Sequence, residues 1–131
     1  MHKIIIVEDE EIIRNGLAIS FEWMDYGCNI VGLAKDGKEG LDMILKLNPD
    51  IVISDIKMPK MTGIEMIQNA KLQGKDFFSI ILTSYAEFNY AKSAIEFGAS
   101  GYLLKPVDED ELTELLKSIT DKINKNNRQK R

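Results

Sequence analysis

The stretch IIIVEDEE, residues 4–11, sets four aliphatic residues directly before four acidic ones. Four consecutive apolar residues indicate a strand that is covered on both faces, as in a parallel sheet between two helix layers. The acids that follow repel one another, and the next helix needs few of them: Asp9 as N-cap, with Glu10 and Glu11 in the first turn. The surplus of carboxylates at the end of this strand therefore needs a second explanation.

Short apolar runs and helical segments alternate five times along the chain, which is typical of βα units around a parallel sheet. The predicted strands are residues 3–7, 29–34, 51–54, 78–83 and 101–104. The predicted helices are residues 11–21, 38–47, 63–73, 88–97 and 109–123. In the last helix a buried stripe is expected from Leu112, Leu115, Leu116 and Ile119. The pattern predicts an α/β, doubly wound sheet, in which ligands bind beyond the carboxyl ends of the strands.

Length and composition indicate one globular domain without a membrane segment. The chain has 131 residues, 44% of them hydrophobic and 29% charged, which is a globular profile. Its longest apolar runs, such as FFSIIL, are far shorter than the roughly 20 residues that cross a bilayer, and the start lacks a signal-peptide layout. Cys28 is the single cysteine, so no internal disulfide can form. We therefore expect a cytoplasmic protein.

Charge is distributed unevenly between the body of the chain and its last eleven residues. DKINKNNRQKR, residues 121–131, carries five basic groups and one acid, and the rest of the chain has 12 basic against 20 acidic side chains, a net charge of −8. A body of this charge repels phosphate backbones, so we expect no contact with nucleic acid by this domain itself. We predict a domain over residues 1–122 and a basic polar tail or linker over residues 123–131.

Polar and charged residues stand at the carboxyl ends of the predicted strands. These residues are Glu8, Asp9, Asp55, Thr83, Ser84 and Lys105, the last of which is followed by Pro106. Because parallel strands end at the same edge of a sheet, the three carboxylates are expected to lie close together, which is unfavourable unless a cation neutralises them. Mg²⁺ prefers carboxylate and phosphate oxygens. The sequence therefore predicts a magnesium site at this edge.

Asp55 is the predicted acceptor of a phosphoryl group. An aspartate carboxylate can attack phosphorus to give an aspartyl phosphate, and such a transfer depends on positioning and on charge neutralisation. Asp55 would have acids on one side, the ammonium of Lys105 on the other and the hydroxyl of Thr83 within reach. Each residue alone has an ordinary interpretation, as a turn acid, a solvated lysine or a strand-end threonine. Their joint placement at strand ends favours the site.

The segments IIIVEDEE, DIVISDIKMPKMTGIEM, IILTSYAEF and GASGYLLKPV closely resemble the receiver domain of two-component response regulators. The resemblance covers about residues 2–122. It implies a flavodoxin-like (βα)5 fold with a five-stranded parallel sheet in the order 2-1-3-4-5. It also implies that Asp55 accepts a phosphoryl group from the phosphohistidine of a sensor histidine kinase. Such a domain is a phosphoacceptor that assists its own phosphorylation and dephosphorylation, and we do not expect an enzyme in the usual sense.

The same resemblance implies the ligands of the metal and of the phosphate. Asp9 and Asp55 would ligate Mg²⁺ directly, Glu8 mostly through water, and the backbone carbonyl of Lys57 would be a further ligand. The lysine of the pair Lys105–Pro106 would bind the phosphate, and the peptide bond of this pair would be cis.

The resemblance further implies a switch and two residues that tune its lifetime. Thr83 and Tyr102 match the switch hydroxyl and the switch aromatic. An aspartyl phosphate adds roughly −1.5 to −2 charge, which would draw Thr83 inward with Tyr102 following. This would alter the face made by the fourth helix, the fifth strand and the fifth helix, where receivers commonly pair as homodimers. Lys57 and Tyr85, two residues beyond Asp55 and Thr83, are expected to set the phosphoryl lifetime.

Two longer segments refine the expected output. SFEWMDYGCNIVGLAKDGKEGL and TSYAEFNYAKSAIEFGASGYLLKPV are most similar to receivers joined to an AraC-type helix-turn-helix domain. This implies transcription regulation through a DNA-binding output domain that is not in this chain.

Three other classes of protein compete with this interpretation. A Mg²⁺-dependent phosphohydrolase also needs clustered carboxylates, but the haloacid dehalogenase type places its nucleophile and a second aspartate two residues apart at the first strand, which VEDEE does not provide. A flavin-binding electron carrier would need a phosphate loop after that strand. A receiver-like module that binds partners without phosphorylation would not need Asp55, Thr83 and Lys105 together.

Overall fold

The computed structural model describes residues 1–84, 89, 92 and 98–129, and a five-stranded sheet lies at its centre. The strands are β1 (His2–Val7), β2 (Cys28–Ala34), β3 (Ile51–Asp55), β4 (Phe78–Thr83) and β5 (Gly101–Leu104). Their order is β2-β1-β3-β4-β5, and every neighbouring pair is parallel. The predicted flavodoxin-like, doubly wound arrangement is confirmed, with each strand within one residue of its predicted bounds.

Helices cover the sheet on both faces. They are α1 (Glu11–Ser20), α2 (Gly37–Leu47), α3 (Gly63–Leu72) and the C-terminal helix (Glu109–Gln129), with a 3₁₀ helix (Trp23–Tyr26) between α1 and β2. The helix predicted over residues 88–97 lies outside the described residues, apart from Asn89 and Lys92. Within the ranges given above, no helix is long and apolar enough to cross a membrane.

β1 is buried on both faces, which explains its four consecutive aliphatic residues. Ile4 and Ile6 belong to the core layer that contains Leu116 of the C-terminal helix. Ile5 and Val7 belong to the opposite layer, beneath α2 and α3. All four strand side chains are fully buried. Because side chains alternate across a strand, an uninterrupted apolar run fills both layers at once.

The C-terminal helix is longer than the sequence pattern predicted. Its buried or half-buried stripe is the predicted one, Leu112, Leu115, Leu116 and Ile119. The stripe extends to Ile123, which also packs in the core, and the helix then continues to Gln129. Residues 124–129, expected to belong to a polar tail, are therefore helical. The pattern gave no indication of this because a helix propagates by backbone hydrogen bonds, one for each further residue, after its last apolar contact.

An aromatic cluster closes the α1 side of the core. The rings of Phe21 and Trp23 meet edge to face at 4.8 Å, and those of Phe21 and Tyr26 stack at 5.3 Å. Trp23 Nε1 donates to the carbonyl of Leu17 at 3.2 Å, and the hydroxyl of Tyr26 lies 3.3 Å from that of Thr113 on the C-terminal helix. α1 ends one residue earlier than predicted because Phe21 adopts an extended backbone and turns into the core.

Candidate functional site

The structure brings the predicted acidic residues together at the carboxyl edge of the sheet. Glu8 and Asp9 follow β1, and Asp55 is the last residue of β3. One carboxylate oxygen from each of these residues lies within 4.8 Å of the other two. Glu8 is fully buried and Asp55 nearly so, whereas Asp9 is exposed. The cluster therefore opens to solvent on the side of Asp9.

Lys105, directly after β5, is the cation nearest to two of these acids. Its Nζ lies 2.7 Å from Glu8 Oε1 and 3.1 Å from Asp55 Oδ2. The other oxygen of Glu8, Oε2, is buried and accepts no hydrogen bond from the part of the chain that the structure describes. One ammonium thus faces two buried carboxyl groups, and one buried oxygen lacks a donor among the described residues.

Helix capping does not account for the acidic block. The N-cap of α1 is Glu10 rather than the expected Asp9, and the side chain of Glu10 makes no capping hydrogen bond. Glu11 is the acid in the first turn. The carboxylates of Glu8 and Asp9 are therefore left for a role outside the helix.

Burial changes the acid–base behaviour of Glu8 and Lys105. Burial is the main cause that raises the pKa of Glu8 to about 8, and the nearby Asp55 adds to this while Lys105 opposes it. For Lys105 burial acts in the lowering direction, but its contacts with Glu8 and Asp55 together outweigh burial and raise the pKa. Lys105 therefore stays charged, and it does not fully compensate the buried carboxylates.

The donor set fits a hard divalent cation. Carboxylate oxygens are the ligands that Mg²⁺ prefers, and the unpartnered Oε2 of Glu8 can accept from a bound water or face a cation. When all three are ionised, the converging carboxylates exceed the charge of the one lysine, and a cation would offset that excess and favour the ionised form of Glu8.

The loop between β3 and α3, residues 56–62, fixes the orientation of Asp55. The N–H of Ile56 donates to Asp55 Oδ1 at 2.9 Å, and the N–H of Gly63 donates to the carbonyl of Ile56 at 2.7 Å. A Cβ atom at Gly63 would overlap the carbonyl oxygen of Asp55, so a glycine is needed here. Lys57 lies in this loop with an exposed side chain.

The remaining predicted residues occupy the following positions. Thr83 is fully buried at the end of β4, and its hydroxyl donates to the carbonyl of Ser84 at 3.1 Å. Tyr102 is half-buried on β5 and packs against the core layer beneath α2 and α3. The peptide bond Lys105–Pro106 is cis. Tyr85 lies outside the described residues.

Sequence reasoning missed a contact between this loop and α2. Asp36 precedes the helix predicted over residues 38–47; it is nearly buried and caps α2 by accepting from the N–H of Glu39 at 2.8 Å. Its other oxygen lies 3.6 Å from Nζ of Lys60. An Asp–Gly pair with a glutamate three residues after the Asp marks a helix start, so the cap was predictable, whereas the partner in a distant loop was not.

Comparisons with known proteins agree on one family. A family model described as the response regulator receiver domain matches residues 4–117. Transcriptional regulatory protein YesN of Bacillus subtilis (strain 168) is 39% identical over 119 residues, or 91% of this chain. Transcriptional regulatory protein HptR of Staphylococcus aureus (strain N315) is 42% identical over 116 residues, or 88% of this chain. The matches cover 32% of YesN and 45% of HptR, so this chain spans less than half the length of these relatives.

Solved structures give the same result. The REC domain of AraT, a response regulator from Geobacillus stearothermophilus, has a TM-score of 0.90 at 33% identity, covering 96% of this chain and 98% of that one. A two component transcriptional regulator AraC from Clostridium phytofermentans ISDg has a TM-score of 0.85 at 31% identity, covering 95% of this chain and 97% of that one.

Proposed function

Because the chain belongs to the response regulator receiver domain family, we propose that Asp55 accepts a phosphoryl group from the phosphohistidine of a sensor histidine kinase. The observation that carries this proposal is the convergence of three carboxylates within 4.8 Å of one another, with the ammonium of Lys105 3.1 Å from Asp55. A nucleophile, a place for a cation and a fixed positive charge are the parts that phosphoryl transfer to a carboxylate needs.

In the proposed reaction an oxygen of the Asp55 carboxylate attacks the phosphorus atom. The bond from phosphorus to the kinase imidazole nitrogen breaks, and the electron pair leaves with that nitrogen. The N–H of Ile56 at Oδ1 holds the carboxylate in one orientation, so less freedom is lost when the phosphoryl group arrives. Lys105, whose Nζ lies 3.1 Å from Oδ2, would neutralise the charge of the incoming oxygens.

The metal site of this proposal consists of Asp9 and Asp55 as direct ligands, Glu8 acting mostly through water, and the backbone carbonyl of Lys57. Bound Mg²⁺ supplies a positive charge for the oxygens of the phosphoryl group. The unpartnered Oε2 of Glu8 supports the outer role, since it is free to accept from a metal-bound water.

Phosphorylation would act through Thr83 and Tyr102. The hydroxyl of Thr83 now donates to the carbonyl of Ser84, and a phosphoryl group on Asp55 offers a more strongly charged acceptor. Movement of Thr83 would leave room for Tyr102 to turn inward. This would change the face that we expect β5 and the C-terminal helix to form with the predicted fourth helix, which lies outside the described residues apart from Asn89 and Lys92. Homodimers would form through this face on phosphorylation.

The output in this proposal is transcription. The relatives named transcriptional regulatory proteins are longer than this chain, and we place the receiver domain at residues 1–122 with residues 123–131 as a connection to an AraC-type DNA-binding domain. DNA contact would be made by that domain, and the receiver would act as a phosphoacceptor that assists its own phosphorylation and dephosphorylation, with Lys57 and Tyr85 tuning the lifetime.

Intact-mass analysis after incubation with acetyl phosphate and Mg²⁺ tests the proposal. The expected result is a gain of one phosphoryl group that disappears with a chelator and in Asp55→Asn. A folded, Mg²⁺-binding protein that gains no phosphoryl group from acetyl phosphate or from histidine kinases would favour the phosphorylation-independent module instead. Turnover of unrelated phosphate esters would favour the phosphohydrolase.

A further inference from the structure

The loop between β3 and α3 is held at two places. Its near end is closed beside Asp55 by the hydrogen bond from the N–H of Gly63 to the carbonyl of Ile56. Its far end, around Lys60 and Met61, lies against the first turn of α2. The proposed metal and phosphoryl site is built on the near end, and the far end supplies none of its proposed ligands.

Two contacts make the far attachment. Nζ of Lys60 lies 3.6 Å from Oδ2 of Asp36, the N-cap of α2. Next to it, Gly37 lets the loop backbone approach closely, because a Cβ atom there would lie 2.5 Å from the carbonyl oxygen of Met61 and 2.7 Å from its Cβ. The first residues of α2 thus supply both a charge and a space for the loop.

We propose that Asp36 is a positioning residue for the metal and phosphoryl site, which holds the β3–α3 loop through Lys60 and so sets the placement of the Lys57 carbonyl. This inference rests on the proposed function, because it concerns how well the loop presents its backbone to Mg²⁺. Asp36 acts through the loop and touches neither the metal nor the phosphoryl group.

The backbone of Lys60 supports this role. Its φ of 72° lies in the left-handed region, which residues other than glycine adopt rarely and only when the surroundings hold them there. The N–H of Met61 donates to the carbonyl of Pro59 at 2.8 Å, so the chain turns tightly at this point. The contact of Lys60 with Asp36 ties this turn to α2 by charge, beside the close packing of Met61 on Gly37 and a hydrogen bond from Asn69 of α3 to the sulfur of Met61 at 3.8 Å.

Asp36 and Lys60 differ in side-chain mobility and exposure, and this difference determines what their ion pair contributes. The side chain of Asp36 is 8% exposed and already oriented by the N–H of Glu39, whereas the side chain of Lys60 is 63% exposed. An ion pair with one partner this exposed adds little stability. Its effect is therefore expected in the geometry of the loop, measured as metal affinity, and much less in the melting temperature.

The test compares Asp36→Asn with a matched control in the same protein. Asparagine caps a helix about as well as aspartate, so Asp36→Asn removes the charge and keeps the cap. Asp108→Asn makes the same change where Asp108 accepts from the N–H groups of Asp110 and Glu111, in the first turn of a different helix. Lys60→Gln, Lys60→Arg and the double variant Asp36→Asn/Lys60→Gln complete the set.

Three quantities are measured for each variant. Calorimetric titration gives the Mg²⁺ affinity, incubation with acetyl phosphate gives the phosphorylation rate, and thermal unfolding in chelator gives the melting temperature. Residues that orient metal ligands typically contribute 10–100-fold in affinity, and for this more distant contact we expect a Kd about three- to tenfold higher in Asp36→Asn and Lys60→Gln. The double variant should bind Mg²⁺ no more weakly than the single variant with the lower affinity, because the two single substitutions remove the same contact. Lys60→Arg and Asp108→Asn should bind as the wild type does.

Equal Mg²⁺ affinity in Asp36→Asn and Asp108→Asn would overturn the inference, and so would additive effects in the double variant. These outcomes differ from a failure of the proposed function. In that case the wild type itself would bind no Mg²⁺, or phosphorylation would persist in Asp55→Asn, and the inference would be lost with the function.

Discussion

The two edges of the sheet carry the same kinds of charged residues but differ in how these residues are paired and buried. At the amino edge, Nζ of Lys3 donates to the carbonyl of Leu47 at 2.7 Å, and Asp50 accepts from the N–H of Lys3 at 2.7 Å. Nearby, Nζ of Lys75 donates to Oδ1 of Asn48 at 2.6 Å. These side chains are exposed or half-buried, and each of these contacts pairs a polar group near water.

At the carboxyl edge two acids, Glu8 and Asp55, are buried and incompletely paired. Glu8 and Asp55 share one lysine, and an oxygen of Glu8 has no donor among the residues described. Buried polar groups without partners are rare because each costs stability. The polar groups of the amino edge are therefore paired within the fold, whereas the carboxyl edge keeps a buried carboxylate oxygen without a partner among the described residues. Such a local conflict is typical of functional sites.

The largest effect is expected from removing the ammonium group of Lys105 at the carboxyl edge. Lys105→Ala takes away the ammonium 3.1 Å from Asp55, and loss of one group that stabilises transition-state charge typically costs about 10²–10³-fold in rate. The phosphorylation rate with acetyl phosphate, followed by intact mass, should fall by this order. Lys3→Ala at the amino edge is the control, and a similar loss there would contradict the division between the edges.

The next effect is a gain in stability at the expense of metal binding. Glu8→Gln removes a fully buried carboxyl group whose pKa is raised to about 8. Between its ordinary value of 4.5 and that pKa, such a group costs the folded state about 1.4 kcal/mol for each unit of pH. We expect a higher melting temperature in chelator, by about 4 °C per kcal/mol in a domain of this size. Added Mg²⁺ should raise the melting temperature of this variant less than that of the wild type. A variant less stable than the wild type in chelator would show that Glu8 is structurally required.

A smaller effect is expected at the amino edge. Asp50→Ala removes the acceptor for the N–H of Lys3, and a hydrogen bond of this kind contributes about 1 kcal/mol. Urea unfolding should reveal a loss of this size, with the phosphorylation rate unchanged. A changed rate would mean that the two edges are coupled through the sheet.

The smallest effect concerns Asp36, an acid at the carboxyl edge whose hydrogen bonding is satisfied like that of the acids at the amino edge. The hydrogen bond from the N–H of Glu39 is the main cause that lowers the pKa of Asp36. Because the folded pKa lies below the unfolded value, this acid stabilises the fold above its ordinary value of 3.8 and stops doing so as the pH falls through the folded pKa. The stability difference between wild type and Asp36→Asn should therefore shrink below about pH 4, and a constant difference would contradict the shift.

The sheet and most of the site were predictable because both follow from local patterns. The apolar run of β1 specifies burial on two faces, and the residues that end parallel strands must meet at one edge. The contact of Glu8 with Nζ of Lys105 was not predicted, because the resemblance implied for Glu8 only a role at the metal, mostly through water. The contact of Asp36 with Lys60 also joins distant segments, and no periodicity encodes such a pair.

Helix ends were the least predictable parts. Asp9 has the chemistry of an N-cap, but the backbone places Glu10 there without a side-chain bond, so composition alone misassigned the cap. The C-terminal helix runs to Gln129 because its backbone continues after the last packing residue. The expected fourth helix and Tyr85 stay predictions.

The aromatic cluster on the α1 side gives this protein a built-in optical probe. Trp23 is the single tryptophan of the chain, it is 5% exposed, and it packs against Phe21. Phe21 in turn stacks on Tyr26, whose hydroxyl lies 3.3 Å from that of Thr113 on the C-terminal helix. Its fluorescence therefore comes from one buried site. We expect the emission to change if the C-terminal helix separates from the rest of the domain, so no dye has to be introduced.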